Sequence, residues 1–115
     1  MELLRPLPLQ MWRSQIGNEP TRDWFKSLPD SDRKVLGIDL RKLQFAWPVG
    51  MPLVRSMGNG LWELRSTLPS RREARVLFAV DGEYISILHG FIKKSQKTPD
   101  HELALARKRL KEMHR

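Results

Sequence analysis

The fold is decided by residues 61–99, which read LWELRSTLPSRREARVLFAVDGEYISILHGFIKKSQKTP. This stretch holds three short apolar runs, and cationic residues interrupt each run at the two-residue spacing of a β-strand. Turn signals at Pro69–Arg72 and Asp81-Gly82 separate the runs. The pattern predicts a meander of three antiparallel strands over Leu61–Leu68, Glu73–Val80 and Glu83–Ile92.

The residues before this meander predict an edge strand and a helical hairpin. Pro6–Arg13 alternates weakly, and its prolines suit only an edge position. Glu19–Leu28 is expected to form a short helix, and a second helix begins at Asp30 and stops before Pro48. The apolar residues of the second helix recur at steps of four, three and four, namely Leu36, Leu40, Leu43 and Trp47. We expect Gly50–Gly60 to be a loop.

A last helix is predicted after the meander. Thr98 stands in the position of an N-cap and Pro99 in that of the first helical residue. The inner stripe of this helix is Leu103, Ala106, Leu110 and Met113. The order of elements is β-α-α-β-β-β-α. We therefore expect one α+β domain over residues 1–115, with the helices packed on one face of an antiparallel sheet and the other face open.

The charge of the chain indicates a polyanionic partner. The 115 residues include 21 Lys and Arg against 13 Asp and Glu, which gives a formal net charge of +8. Both halves of the sequence are positive, so the charge belongs to the domain and not to a detachable tail. This distribution is typical of a folded nucleic-acid binder, and RNA is the first partner to consider. Solubility alone is the alternative explanation.

Several classes of site and location are excluded or disfavoured by composition. The chain has no cysteine, which excludes disulfides, Cys-ligated zinc and thiol catalysis. His89 and His101 lie on different predicted elements, so we expect neither a metal nor another cofactor. The N-terminus has no apolar run of signal-peptide length, and no stretch is long enough to span a bilayer. We therefore predict a cytoplasmic protein with no membrane partner.

The segments LWELR, ARVLFAV, ISILHGFIKKSQKTP and ELALARKRL resemble the RelE/ParE toxin superfamily, in particular its HigB-type, phage-derived branch. The match covers most of the chain and is tightest over Leu61–Leu110. The resemblance implies a RelE-like fold and a type II toxin that cleaves mRNA, usually on the translating ribosome, and so inhibits translation. It also implies a cognate antitoxin, which often carries a helix-turn-helix.

Arginines are the first candidates for contact with RNA. Metal-free cleavage needs a base for the 2′-hydroxyl, cations for the pentavalent phosphate and a donor for the leaving oxygen. A guanidinium does not act as a base, so Arg75 suits a phosphate clamp, and it matches the phosphate-binding arginine of the family. Arg65 belongs to the ELR motif and would be a second cationic contact; Glu63 on the same face is either the base or a structural partner of Arg65. The alternative for Arg75 is a surface charge paired with Glu63 or Glu73.

Lysines and a histidine complete the predicted site. Lys93 and Lys94 are adjacent, so only one of them faces the site, and Lys94 better matches the cation nearest the scissile phosphate in relatives. Lys97 would hold the RNA backbone from the following loop; a solvated loop is the alternative. His89 carries an imidazole, which suits acid–base chemistry, but its apolar strand favours a histidine bonded within the core.

The outer face of the last helix is basic through Arg107, Lys108, Lys111 and Arg115. Contact with ribosomal RNA and a plain solvated face are both open interpretations. The tyrosine that some relatives supply near the C-terminus is absent, because the one tyrosine is Tyr84. Two other functions remain open: a non-catalytic toxin that binds gyrase like the ParE branch, and an RNA-binding accessory protein.

Overall fold

A computed structural model describes residues 5–113 as three helices and one mixed sheet of five strands. The strands are β1 (Leu9–Met11), β2 (Val54–Gly58), β3 (Leu61–Thr67), β4 (Glu73–Val80) and β5 (Ile85–Lys93). The helices are α1 (Pro20–Ser27), α2 (Asp30–Ala46) and α3 (Asp100–Met113). The expected α+β class is confirmed. Within residues 5–113, no helix has both the length and the apolar character needed to cross a bilayer.

The strands lie in the order β1-β5-β4-β3-β2. β3, β4 and β5 are consecutive antiparallel neighbours, which confirms the predicted meander. β1 lies at an edge, as expected, but it pairs parallel with β5, with Leu9 opposite Ile85. The sheet is therefore mixed, because the chain passes through α1 and α2 between β1 and the meander and returns to the far edge.

The expectation of a loop over Gly50–Gly60 was wrong, since β2 lies within it. β2 pairs antiparallel with β3 and forms the second edge of the sheet. Asn59 and Gly60 both have positive φ, so the turn signal closes a hairpin. Val54 alone of this strand is buried, while Arg55 and Ser56 are exposed. An edge strand with one buried side chain has too weak an alternation to be recognised from sequence.

The helices do not share one face of the sheet, so the prediction that they pack together on one face was wrong. Leu36, Leu40 and Leu43 of α2 pack with Leu28 against one face, where they meet Val76 and Phe78. α3 covers the other face, where Ala106 contacts a separate cluster formed by Leu61, Leu77, Ala79, Leu88 and Phe91. Alternating residues of β3 and β4 are apolar on both sides, so both faces needed a cover. At the end of the second face, Arg65 and Arg75 border a hollow that the apolar cluster under α3 does not fill.

α3 is fixed to the sheet by two arginines. Arg107 donates from Nη2 to the Met57 carbonyl at 2.8 Å and from Nη1 to the Gly58 carbonyl at 3.3 Å. Arg109 donates to the Leu88 carbonyl at 2.8 Å, and its guanidinium lies 4.3 Å from the centroid of the Trp12 ring. Burial lowers the pKa of Arg109, although Glu112 opposes this effect. These contacts explain why a helix with a short apolar stripe stays on the sheet.

A bulge in β5 changes which side chains face α3. Leu77 pairs with His89 but Phe78 pairs with Ile87, so Leu88 is an extra residue. Ile87 therefore belongs to the α2 side, whereas His89 and Phe91 stack on the α3 side at 5.5 Å. In a regular strand these three residues, at two-residue spacing, would lie on one face. The regular alternation of side chains between the two faces fails here, because the bulge shifts the register of β5 by one residue.

The residue after His89 is a glycine for a steric reason. A Cβ at Gly90 would lie 2.4 Å from Cζ3 and 2.6 Å from Cε3 of Trp24, which packs onto the β5 backbone from α1. No heavy atom lies within 4 Å of the corresponding position at Gly50. The contact between α1 and β5 therefore depends on the absence of a side chain at Gly90.

A buried carboxylate ties α2 to the turn between β3 and β4. Asp32 is fully buried and accepts hydrogen bonds from the Ser70 amide at 3.1 Å and the Ser70 hydroxyl at 2.7 Å. Arg72 donates to the same carboxylate at 3.1 Å. The Ser70 hydroxyl is the largest cause that holds the pKa of Asp32 below its usual value; burial opposes it, and Arg72 adds to the lowering.

We predict that Gly90→Ala lowers the free energy of unfolding by about 1–3 kcal/mol, because Trp24 must move to accept the methyl group. Urea unfolding followed by tryptophan fluorescence measures this change. Gly50→Ala is the matched control and should have little effect. The loss should shrink in a Trp24→Ala background. Equal midpoints for Gly90→Ala and the wild type would contradict the steric explanation.

We predict that Asp32 makes stability depend on acid pH. Its folded pKa is lowered, so its contribution is present above the unfolded value of about 3.9 and is lost as pH falls through the folded value. Urea midpoints measured from pH 7 to pH 3 should fall less steeply in Asp32→Asn, which also has the lower midpoint at pH 7. Asp23→Asn, at an exposed position on α1, is the control. Parallel pH profiles for Asp32→Asn and wild type would refute this role.

Candidate nucleic-acid interface

Two arginines lie directly opposite each other on neighbouring strands. The register pairs Arg65 of β3 with Arg75 of β4, and such partners project from the same face of the sheet. Both border an open hollow of about 450 Å³, which we call the arginine cleft. Its lining residues are Lys42, Pro52, Leu53, Arg65, Thr67, Glu73 and Arg75. Folding thus gathers three cations from a helix and two strands around one hollow.

Arg75 is the more deeply placed of the two arginines. Its side chain is 3% exposed, and Nη1 donates to the Ala74 carbonyl at 3.0 Å. Its Nε lies 3.7 Å from Oε1 of Glu63, and Nη1 lies 3.5 Å from Oε2 of Glu73. Both carboxylates that the sequence suggested as alternative partners therefore contact this guanidinium. Arg75 is a buried member of an ion-pair network, with little surface left for a ligand.

Arg65 is the more accessible guanidinium. Its side chain is 30% exposed, and its Nε lies 4.0 Å from Oε1 of Glu63. Nη1 is 3.8 Å from the sulfur of Met51, a weak acceptor. A partly exposed guanidinium with one distant carboxylate keeps most of its donors available. Arg65 is therefore better placed than Arg75 to bind an anion that enters the cleft.

Glu63 is the shared counterion beneath the arginine cleft. Its side chain is 2% exposed, and Oε2 accepts a hydrogen bond from the Thr98 hydroxyl at 2.5 Å. Thr98 was expected to cap the last helix, but its hydroxyl is used here and α3 begins at Asp100. The carboxylate lies within 4.0 Å of both arginines. A buried carboxylate needs such partners, because burial of an unpaired charge is strongly unfavourable.

The predicted lysines line a second hollow, of about 660 Å³, which we call the lysine cleft. Lys93 and Lys94 lie there beside Trp24, Pro99 and Glu102, with Arg72, Gly90, Phe91, Ile92 and His101 completing the lining. Lys93 pairs with Glu73 in the register, so it also belongs to the Arg75 side of the sheet. Lys94 follows the end of β5 and is exposed. Lys97 is exposed in the next loop and lines neither cleft.

His89 is engaged within the fold. Its Nε2 lies 2.9 Å from Oε1 of Glu102, which is also 3.5 Å from Nε2 of His101. His89 is 15% exposed, and it lines neither the arginine cleft nor the lysine cleft. The bond to Glu102 joins β5 to α3 and agrees with the structural alternative for this histidine. Among residues 5–113, no group of three or more His, Cys, Asp or Glu could hold a metal ion.

Some of the basic residues predicted for the outer face of the last helix are bonded within the fold, and others are exposed. Arg107 is bound to the carbonyls of Met57 and Gly58, so it does not extend freely from the helix. Lys108 and Lys111 are exposed, as both open interpretations of this face require. Arg115 lies outside the described residues. The exposed part of the predicted face is therefore reduced to two lysines of α3.

Sequence reasoning missed Lys42 and Thr67, and it named Glu73 only as an ion-pair partner. Glu73 and Arg75 are two residues apart in β4, so strand parity alone places them on one face. That signal was available in the sequence. Lys42 had no comparable signal, because α2 packs mainly on the opposite face and only the folded chain brings Lys42 to the cleft.

We predict that the two arginines differ in their contribution to stability. Arg75→Ala should cost about 3–5 kcal/mol, because it leaves Glu63 buried without its nearest cation. Arg65→Ala should cost no more than about 1 kcal/mol, because its ion pair is long and partly exposed. Urea unfolding of both variants tests this contrast. Equal losses of unfolding free energy would contradict this prediction, because they would show that the two arginines stabilise the buried Glu63 carboxylate to the same extent.

Comparison with known proteins places the chain in a family. Residues 23–111 match the family model described as phage-derived protein Gp49-like (DUF891), which covers α2, strands β2 to β5 and most of α1 and α3. No curated protein matches the sequence. The family lies within the RelE/ParE-like toxin group, which is consistent with a toxin of a toxin–antitoxin system and suggests an antitoxin partner. The chain therefore belongs to the Gp49-like phage-derived family of the RelE/ParE-like toxin group.

Proposed function

We propose that this protein is a HigB-type toxin that cleaves mRNA on the translating ribosome, with the arginine cleft as the site that holds the scissile phosphate. The observation that carries the proposal is the direct pairing of Arg65 with Arg75 across two strands. Like charges at such positions are destabilising. Arg75 is paired with both Glu63 and Glu73, whereas Glu63, at 4.0 Å, is the one carboxylate within ion-pair distance of Arg65 among the described residues. An RNA phosphate would supply the missing negative charge.

Each cation has a distinct role in this proposal. Arg65 contacts the phosphate directly, because it is the accessible guanidinium. Arg75 adds positive potential from below and keeps Arg65 and Glu63 in place. Lys93 extends the cationic surface from the arginine cleft to the lysine cleft, where Lys94 is available to bind the next part of the chain. Lys97, Lys108 and Lys111 are exposed and would contact ribosomal RNA.

A cognate antitoxin with a helix-turn-helix would be the natural regulator. The net charge of +8 favours an acidic partner segment that covers the cationic surface. Co-expression with the product of the adjacent open reading frame, followed by pull-down, tests this partnership. Loss of growth inhibition on co-expression would support it, whereas inhibition that persists with a bound partner would contradict it.

We predict that induced expression of this chain arrests bacterial growth and produces site-specific breaks in translated mRNA, detected by primer extension. Arg65→Ala should reduce cleavage by about 100-fold or more, because the loss of one donor to a developing oxyanion has effects of that size. Lys34→Ala removes an equal charge from an exposed position on α2 and serves as the control. Equal cleavage by the wild type and Arg65→Ala would exclude the arginine cleft as the site.

One observation favours a second function. Arg75 is almost fully buried among Glu63 and Glu73, so the cleft offers fewer free cations than its sequence suggests. That arrangement also fits a ParE-like toxin that binds a protein such as gyrase and cleaves no RNA. Intact mRNA together with stalled replication after induction would identify this alternative. Breaks that require translation would exclude it.

A further inference from the structure

Glu73 places a carboxylate at the rim of the arginine cleft. It begins β4, and its side chain is 44% exposed. The Thr67 hydroxyl lies 3.1 Å from Oε1 and 3.0 Å from Oε2, and Nη1 of Arg75 lies 3.5 Å from Oε2. These two contacts hold the carboxylate against the sheet while leaving much of it open to solvent. Glu73 is therefore oriented but not enclosed.

The other carboxylate of this region is arranged differently. Glu63 is 2% exposed, bonded to Thr98 and close to both arginines, so it serves as a structural counterion. It does not line the cleft, whereas Glu73 does. Among the described residues that line the cleft, Glu73 is the one carboxylate, and a carboxylate can accept the proton of a hydroxyl group. The ammonium of Lys42 and the guanidinium groups of the two arginines donate hydrogen bonds and accept none, and the Thr67 hydroxyl is not a base.

The charges around Glu73 allow a phosphate to approach it. Arg75 contacts it from the same strand, and Arg65 lies on the neighbouring strand β3, opposite Arg75 and diagonal to Glu73. Lys93 of β5 is its register partner, and Lys42 of α2 lines the same cleft. Glu63 lies below and is already paired with the arginines. Arg75 is the cation within 4.0 Å of Glu73 among the described residues, and the Nζ of Lys42 lies 3.8 Å from Oδ1 of Asp39. These cations at the same end of the sheet offset part of the repulsion between the Glu73 carboxylate and a bound phosphate.

We propose that Glu73 is the general base of RNA cleavage, an inference that rests on the proposed function. Its carboxylate accepts the proton of the RNA 2′-hydroxyl, and the 2′-oxygen forms a bond to the adjacent phosphorus. The bond from phosphorus to the 5′-oxygen breaks, and that oxygen takes a proton from water. The products are a 2′,3′-cyclic phosphate and a 5′-hydroxyl, and Glu73 then returns its proton to water. Cleavage therefore requires Glu73 to be ionised when the substrate binds.

Three variants of Glu73 test this role. Glu73→Gln keeps an acceptor for Thr67 but removes the base, so cleavage of ribosome-bound mRNA should fall by about 10²–10⁴-fold. Glu73→Asp keeps the carboxylate and should retain part of the activity. Glu73→His should recover part of the activity with its acid limb moved toward pH 6.5, the ordinary pKa of imidazole. Glu83→Gln changes an exposed glutamate in the turn after β4 and is the control.

The shift of the acid limb in Glu73→His is the decisive readout, because a structural role would lower the rate without moving the pH profile. Urea unfolding shows whether each variant is folded. The cleavage activities of the variants are then compared per folded molecule. If the wild type cleaves and Glu73→Gln cleaves equally with the same pH profile, the general base is overturned and the proposed function stands. If the wild type produces no breaks, both proposals fail. A substrate with a 2′-deoxy nucleotide at the break should resist the wild type.

Discussion

The buried carboxylate of Glu63 is the constraint on which the functional end of the molecule depends. It lies within 4.0 Å of arginines from two strands and accepts a hydrogen bond from Thr98, just before α3. A carboxylate with 2% exposure is stable only when such partners remain in place. The same interactions therefore join the meander to the start of α3 and decide how Arg65 and Arg75 are oriented. The same network of ion pairs and hydrogen bonds therefore stabilises the fold and orients the candidate site.

The strand register and the position of α3 on the sheet explain why the cations are divided between two clefts. Arg65 and Arg75 sit opposite each other near the open ends of β3 and β4, and α3 covers the rest of that face with its apolar stripe. Lys93 lies across from Glu73, so it links the arginine cleft to the lysine cleft. Among the described residues, β1 pairs with residues 85–87 of β5 and leaves the Lys93 end of that strand without a paired strand on this side. The cationic surface is thus a continuous end of the sheet and not a single pocket.

Local patterns predicted the elements well where the signal was strong. Alternation and the Asp81-Gly82 turn predicted the meander, and apolar steps in α2 predicted the residues that pack on the sheet. β2 was missed because an edge strand with one buried residue hardly alternates. The prediction that α3 packs on the same face as the other helices was also wrong. The sequence shows which stripe of a helix is apolar but not which face of the sheet that stripe packs against.

By itself, the sequence determined the α+β class, the positive charge and the parity that places Glu63 with Arg65 and Glu73 with Arg75. Such properties are local, because they depend on residue type and on spacing within one strand. Only the tertiary structure decided that Arg75 is buried, that Arg65 is accessible and that His89 bonds to Glu102. Burial and partner choice depend on side chains far away in the chain, and a one-residue bulge in β5 is enough to change them.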